Sequence, residues 1–105
     1  AEPLFRSMKP EIIDHIAIQV KDIKKSFDWY TKHFKCKKLY LDKTWALLEF
    51  NNVKLALVLP NEHPPHISFI DKNARENSDS VMHRDGSVSY YIEDLDGNKI
   101  EMIDY

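Results

Sequence analysis

The sequence predicts an α+β fold: two paired βαβββ modules that form one curved mixed sheet, a cup, with the second helix shortened or absent. Three observations predict it. Strand-like and helix-like segments over residues 12–59 follow an order that recurs over 66–105, except that the second half has no strong helical pattern. The β-branched residues alternate with polar or small ones in short runs, as on strands with one buried face. The chain's 2 glycines, Gly86 and Gly97, each follow an aspartate between strand-like runs, the signal of a hairpin turn.

The elements follow in order. Residues 1–11 contain prolines and no periodicity, so they read as a flexible lead-in to a single domain over 12–105. Ile12 to Val20 is strand-like, with Ile16, Ile18 and Val20 on one face and His15, Ala17 and Gln19 on the other. Asp22 supplies an N-cap, and Ile23, Phe27, Tyr30 and Phe34 recur at helical spacing up to Lys35. Lys37 to Leu41, Thr44 to Phe50 and Val53 to Leu59 complete module one, about 12–59. Pro60 to Pro65 is a break. Module two, about 66–105, opens with the strand His66 to Ile70. A polar stretch over 71–80 with weak helical pattern follows, then the strands Ser80 to Arg84, Val88 to Glu93 and Lys99 to Asp104.

Composition narrows the function. At 105 residues the chain holds one domain, and a formal charge of −2 gives no electrostatic reason to expect nucleic acid as a partner. No apolar run approaches a membrane span and the start lacks a secretory signal, so a soluble, cytoplasmic protein is expected. The halves differ: residues 1–60 carry 11 basic and 7 acidic groups, residues 61–105 carry 4 and 10. The basic excess surrounds the helix and reads as a solvated face, an anion site or a surface for the acidic half of another chain. With 1 cysteine, Cys36, any metal must be held by histidine and carboxylate. Both glycines are used in turns, which leaves no phosphate-binding loop.

In a cup of this kind His15, His66 and Glu101 lie on strands that can line the concave face. Two imidazoles and a carboxylate form the facial triad that leaves positions open on a divalent metal. The alternative for each histidine is a hydrogen-bonded core or rim residue.

The segments Asp14-His15-Ile16-Ala17-Ile18-Gln19-Val20, Asp22 through Tyr30, His66-Ile67-Ser68-Phe69 and Ser89 through Met102 resemble the vicinal oxygen chelate superfamily, which includes glyoxalases, extradiol dioxygenases and bleomycin resistance proteins. The closing motif Asp94-Leu95-Asp96-Gly97-Asn98-Lys99-Ile100-Glu101 is its most specific part, with Leu95 where proline is usual. The resemblance implies that His15, His66 and Glu101 hold one divalent metal ion, iron, manganese, nickel, cobalt or zinc. It also implies that the cup takes a small-molecule substrate through adjacent oxygens. The strand Lys54 to Leu59 reads as aliphatic, so a fourth ligand is not expected there. Glu49 is the nearby substitute, or an exposed rim carboxylate.

These departures favour dioxygenase-like chemistry over lyase, isomerase or transferase chemistry, with metal-free ligand sequestration of the bleomycin-resistance type as the rival. Tyr91 and His83 are candidate catalytic groups; their other readings are a packed strand tyrosine and a surface histidine. Gln19, Ser68 and Lys99 are candidate substrate contacts, Lys99 alternatively reaching only water. By strand parity the lining is expected to be Ala17, Gln19, Ala56, Val58, Ser68, Ile70 and Ile103, small and mostly apolar. The missing second helix would leave a sheet face uncovered, and a homodimer is expected to cover it.

Overall fold

The structure is a computed structural model and describes residues 9–105. Most of the expected lead-in, residues 1–8, lies outside the described residues. The elements are β1 (Ile13–Gln19), α1 (Ile23–His33), β2 (Lys37–Leu41), β3 (Trp45–Glu49), β4 (Lys54–Val58), β5 (His66–Ile70), a 3-10 turn at Ala74–Glu76, β6 (Val81–Met82), β7 (Val88–Glu93) and β8 (Lys99–Asp104). The strands form one 8-stranded mixed sheet in the order β2-β3-β4-β1-β5-β8-β7-β6. It is curved and open rather than closed into a barrel.

That order is two copies of one pattern. In module one the first strand, β1, runs parallel to the last, β4; in module two β5 runs parallel to β8. The modules join through the antiparallel pair β1 and β5. A pseudo-twofold therefore relates the halves.

The single helix forms where the sequence predicts. The Asp22 carboxylate accepts the Lys25 backbone N–H at 3.0 Å, satisfying a free donor of the first turn. Lys32 and His33 lie in the last turn, where the helix dipole favours positive charge. Ile23 is buried with Ala46 and Leu57, and Phe27 and Tyr30 pack against the same cluster together with Ile18 and Leu55. This layer covers the convex face of module one.

Among the described residues module two has no such layer. The connection between Ile70 and Val81 is polar and too short for a helix like α1 with its flanking turns, and it forms only the 3-10 turn, with Ala74 fully buried. The two Asp-Gly turns form as expected, with φ of +88° at Gly86 and +84° at Gly97, a region glycine enters without steric cost. The strand expected over 80–84 is reduced to Val81–Met82, because the backbone from His83 to Ser87 turns back on itself, His83 N–H donating to the Ser87 carbonyl at 2.8 Å. Among the described residues no helix is long and apolar enough to cross a membrane.

Candidate metal centre

Strand register brings the key side chains together. His15 on β1 lies opposite Lys54 on β4 and Ser68 on β5; Ser68 lies opposite Glu101 on β8, and Glu101 opposite Tyr91 on β7. Residues in register share a face of the sheet, so this rung points into the cup. The next rung places Ala56, Ala17, His66 and Lys99 side by side.

His15, His66 and Glu101 are all buried, and their ligand atoms lie within 4.8 Å of one another. Glu101 Oε1 is 3.3 Å from His15 Nε2 and 3.5 Å from His66 Nε2. Adjacent donors around a metal with ligand bonds of about 2.1 Å stand about 3 Å apart, so the set fits a divalent ion with modest closure.

The outer nitrogens are held as such a site requires. His66 Nδ1–H donates to the Pro64 carbonyl at 2.8 Å, and His15 Nδ1–H donates to Asp14 Oδ2 at 2.8 Å. With both imidazoles neutral, the form that can ligate a metal, these bonds leave each Nε2 lone pair facing inward; an Nε2 that carries a proton donates it to Glu101 instead. Ser68 Oγ, fully buried within the same rung, has no hydrogen-bond partner among the described residues. A buried hydroxyl without a partner is costly and marks a polar pocket.

Asp14 reaches His15 because of a bulge. Consecutive strand residues normally point to opposite faces, but the β1–β5 register shifts between Ile13 and His15, with Ile13 opposite Phe69 and His15 opposite Ser68. Asp14 also bonds Lys54 Nζ at 2.9 Å and accepts the Tyr105 hydroxyl at 2.5 Å. Burial alone would raise its carboxyl, but hydrogen bonds from His15, Tyr105 and Lys54 outweigh burial and bring it down to about 2. The same balance raises His15: burial disfavours its charged form, and the Asp14 and Glu101 carboxylates more than offset that. Burial opposes ionisation of Glu101, yet the imidazoles and the Ser89 hydroxyl hold it well below the usual carboxylate range. Local patterning gave no sign of the bulge or of Tyr105, although the Asp-His pair stood in the sequence.

The cup opens into a cavity of about 940 Å³. Its lining departs from the parity expectation. Ala56, Val58 and Ile103 line it as expected, but Ala17, Gln19, Ser68 and Ile70 do not, and ionisable and aromatic groups, Lys54, Glu62, His63, Arg84, Trp45 and Tyr105, make up much of the wall. The Gln19 side chain instead donates to the His63 carbonyl at 3.0 Å, bracing the proline-rich loop. Ser68, in register between His15 and Glu101, is fully buried and does not reach the cavity. Lys99 shares the cup face but is ion-paired to Glu93, its cross-strand partner at the sheet's exposed end. The strand read as aliphatic begins with a cation, Lys54, aimed into the cup. Glu49, opposite Lys54, is exposed and outside the cavity lining.

The two candidate catalytic groups do line the cavity. The Tyr91 ring meets His66 edge-on at 5.2 Å between centroids, its hydroxyl 3.4 Å from His66 Nδ1. Burial, with Glu101 nearby, raises its pKa and keeps the phenol protonated. His83 Nε2 lies 2.6 Å from Ser89 Oγ.

The pseudo-twofold explains why the cluster has three members rather than four. From His66, the parallel partner on β8 is Lys99, and Glu101 lies two residues on; from His15, the same steps lead to Lys54 and then Ala56. Ala56, buried at 4% exposure, holds a methyl where the symmetry would place a second carboxylate.

Comparison with known proteins agrees with this architecture. Residues 12–79 match the family profile of the Glyoxalase/Bleomycin resistance protein/Dioxygenase superfamily. A hypothetical protein of Bacillus halodurans is similar at a TM-score of 0.74 and 22% identity, over 92% of this chain and 96% of that one. A methylmalonyl-CoA epimerase of Streptomyces coelicolor, in complex with 2-nitronate-propionyl-CoA, is similar at 0.70 and 16% identity, over 90% and 97%. A superfamily member from Vibrio splendidus gives 0.62 at 10% identity, over 90% and 98%. At these identities the likeness is one of fold. No curated protein matches. With the profile spanning more than half of its length, the chain belongs to the glyoxalase/bleomycin resistance protein/dioxygenase superfamily.

Proposed function

We propose that this chain is a metal-dependent enzyme whose single divalent ion, held by His15, His66 and Glu101, takes a small organic substrate through two adjacent oxygens. The observation that carries this reading is the convergence of both Nε2 atoms on Glu101 Oε1, with each Nδ1 already bonded. When bound, such an ion supplies Lewis acidity to the substrate's oxygens or to O2.

The chain's own residues supply the rest. Asp14 and the Pro64 carbonyl fix the imidazole orientations. Tyr91 presents a protonated hydroxyl beside His66, a donor for a substrate oxygen. His83, anchored on Ser89, stands in the cavity wall as an acid-base group. Oxygenase-type chemistry is favoured over isomerisation because a three-ligand set keeps room for O2 beside a bidentate substrate.

The test is the metal content of protein isolated without chelator or metal-affinity resin, beside His66→Ala and Glu101→Ala. Near-stoichiometric metal lost in both variants supports the reading. Folded protein that refuses added iron, manganese, nickel, cobalt and zinc overturns it and moves the function to ligand sequestration in the cup. Consumption of O2 with substrate separates oxygenation from isomerisation, which exchanges solvent deuterium into substrate without O2 uptake.

We also propose that the chain works as a homodimer that covers the convex face of module two. In support, Ile67, Ile100 and Ile92 lie in register across that face, continued by Ile16 on the adjoining β1, with Ile67 38% and Ile92 47% exposed. Phe69, Met102 and Tyr90 form the next rung. Apolar area of this continuity is seldom left in water.

A further inference from the structure

The two modules treat their equivalent lysines differently. Lys99 is ion-paired to Glu93 at the sheet end and lies outside the cavity lining. Lys54 lines the cavity with its side chain 25% exposed; its ammonium contacts Asp14 Oδ1 at 2.9 Å and sits 5.1 Å over the Tyr105 ring. An ammonium has three donors. One bond to Asp14 leaves capacity directed at the cavity. Two residues along the same face of β4, Ala56 keeps clear the place that symmetry would give to a carboxylate.

We propose that the substrate enters on the Ala56 side and that Lys54 selects an anionic chelator there, a small acid whose carboxylate is one of its two adjacent oxygen donors. This rests on the metal-dependent reading above. Charge balance argues for it. Asp14 and Lys54 cancel each other, and a divalent ion beside Glu101 leaves one net positive charge in a buried site. Uncompensated charge at low dielectric is unfavourable, so a monoanion completes the site where a neutral ligand does not. Module one alone offers the needed geometry, because its lysine faces inward and its fourth position is a methyl.

The experiment uses the full chain saturated with cobalt(II), titrated with glycolate and with its neutral analogue glycolamide, and followed by the cobalt visible spectrum and by calorimetry. Free cobalt itself prefers the anion, so the readout is the ratio of the two affinities. In Lys54→Met the ratio is expected to fall by about tenfold or more, the size of a lost charge-assisted hydrogen bond, with one cobalt still bound. Lys54→Arg is expected to keep most of the preference. Ala56→Glu is expected to bind cobalt and to weaken both chelators, because its carboxylate occupies the place beside Lys54, which tests the entry side without touching Lys54. An unchanged ratio in Lys54→Met, or unimpaired chelator binding in Ala56→Glu, overturns the proposal. Failure of the unsubstituted chain to take up any metal removes the metal-dependent reading instead and is seen before any chelator is added.

Discussion

One rung of the sheet, followed from module one into module two, passes from a covered surface to an open one. Leu48, Leu55, Ile16, Ile67, Ile100 and Ile92 lie in register on the convex face. At the module-one end Leu48 is fully buried and Leu55 packs against the Ile23 cluster of α1; from β1 onward Ile16, Ile67 and Ile92 are 38%, 38% and 47% exposed. The concave face diverges at the same boundary, with Ala56 in one module and Glu101 in the other. A shared strand pattern therefore supports different duties: module one supplies the packed core and an open seat, and module two supplies the carboxylate and an apolar surface.

The sharpest break in the comparison comes from exchanging functions at equivalent positions. Glu101→Ala is expected to lose its metal to background in elemental analysis, whereas Ala56→Ser keeps it. Next, Leu57→Ala beneath α1 is expected to cost about 3 kcal/mol in urea unfolding, the usual size for a core cavity. Ile67→Ala should cost less than about 1 kcal/mol in the dissociated chain; an equal loss in both would show that module two has a covering layer of its own. Asp14→Asn keeps the side chain's shape but weakens its grip on the His15 N–H, and metal affinity measured by chelator competition is expected to fall about tenfold to a hundredfold. Ile67→Lys with Ile92→Lys is expected to halve the mass found by light scattering while leaving metal binding intact.

The smallest effect concerns the turns that the halves share. Asp42 accepts the Thr44 N–H at 2.7 Å and its hydroxyl at 2.6 Å; Asp85 accepts the Ser87 N–H at 2.9 Å and its hydroxyl at 2.6 Å. Both turns join the second and third strands of their modules. The bonds from Thr44 and from Ser87 depress the two carboxyls. A depressed carboxyl adds stability that is present above the ordinary carboxylate pKa and fades as pH falls below it. Asp42→Asn and Asp85→Asn are therefore each expected to lower the urea midpoint slightly at pH 7 and to match the unsubstituted chain more closely near pH 3.

Much of this molecule was legible along the chain. Alternation at Ile16, Ile18 and Val20, the Asp22 cap and the Asp-Gly pairs are local signals, each acting within a few residues, so the sequence by itself determined the element order, the single helix and which face of β1 carries His15. The triad was legible as a candidate from the expected cup and gained weight from a family resemblance, because no local rule says that residues 15, 66 and 101 meet. Other features depend on pairing between distant strands and on sheet curvature. Register made Ala56 the counterpart of Glu101, a bulge turned Asp14 toward His15, and curvature brought Arg84 and Trp45 to the same cavity while leaving Gln19 and Lys99 outside it. Only the tertiary structure decided those, since a one-residue change of register reverses every side chain's face without altering any local preference.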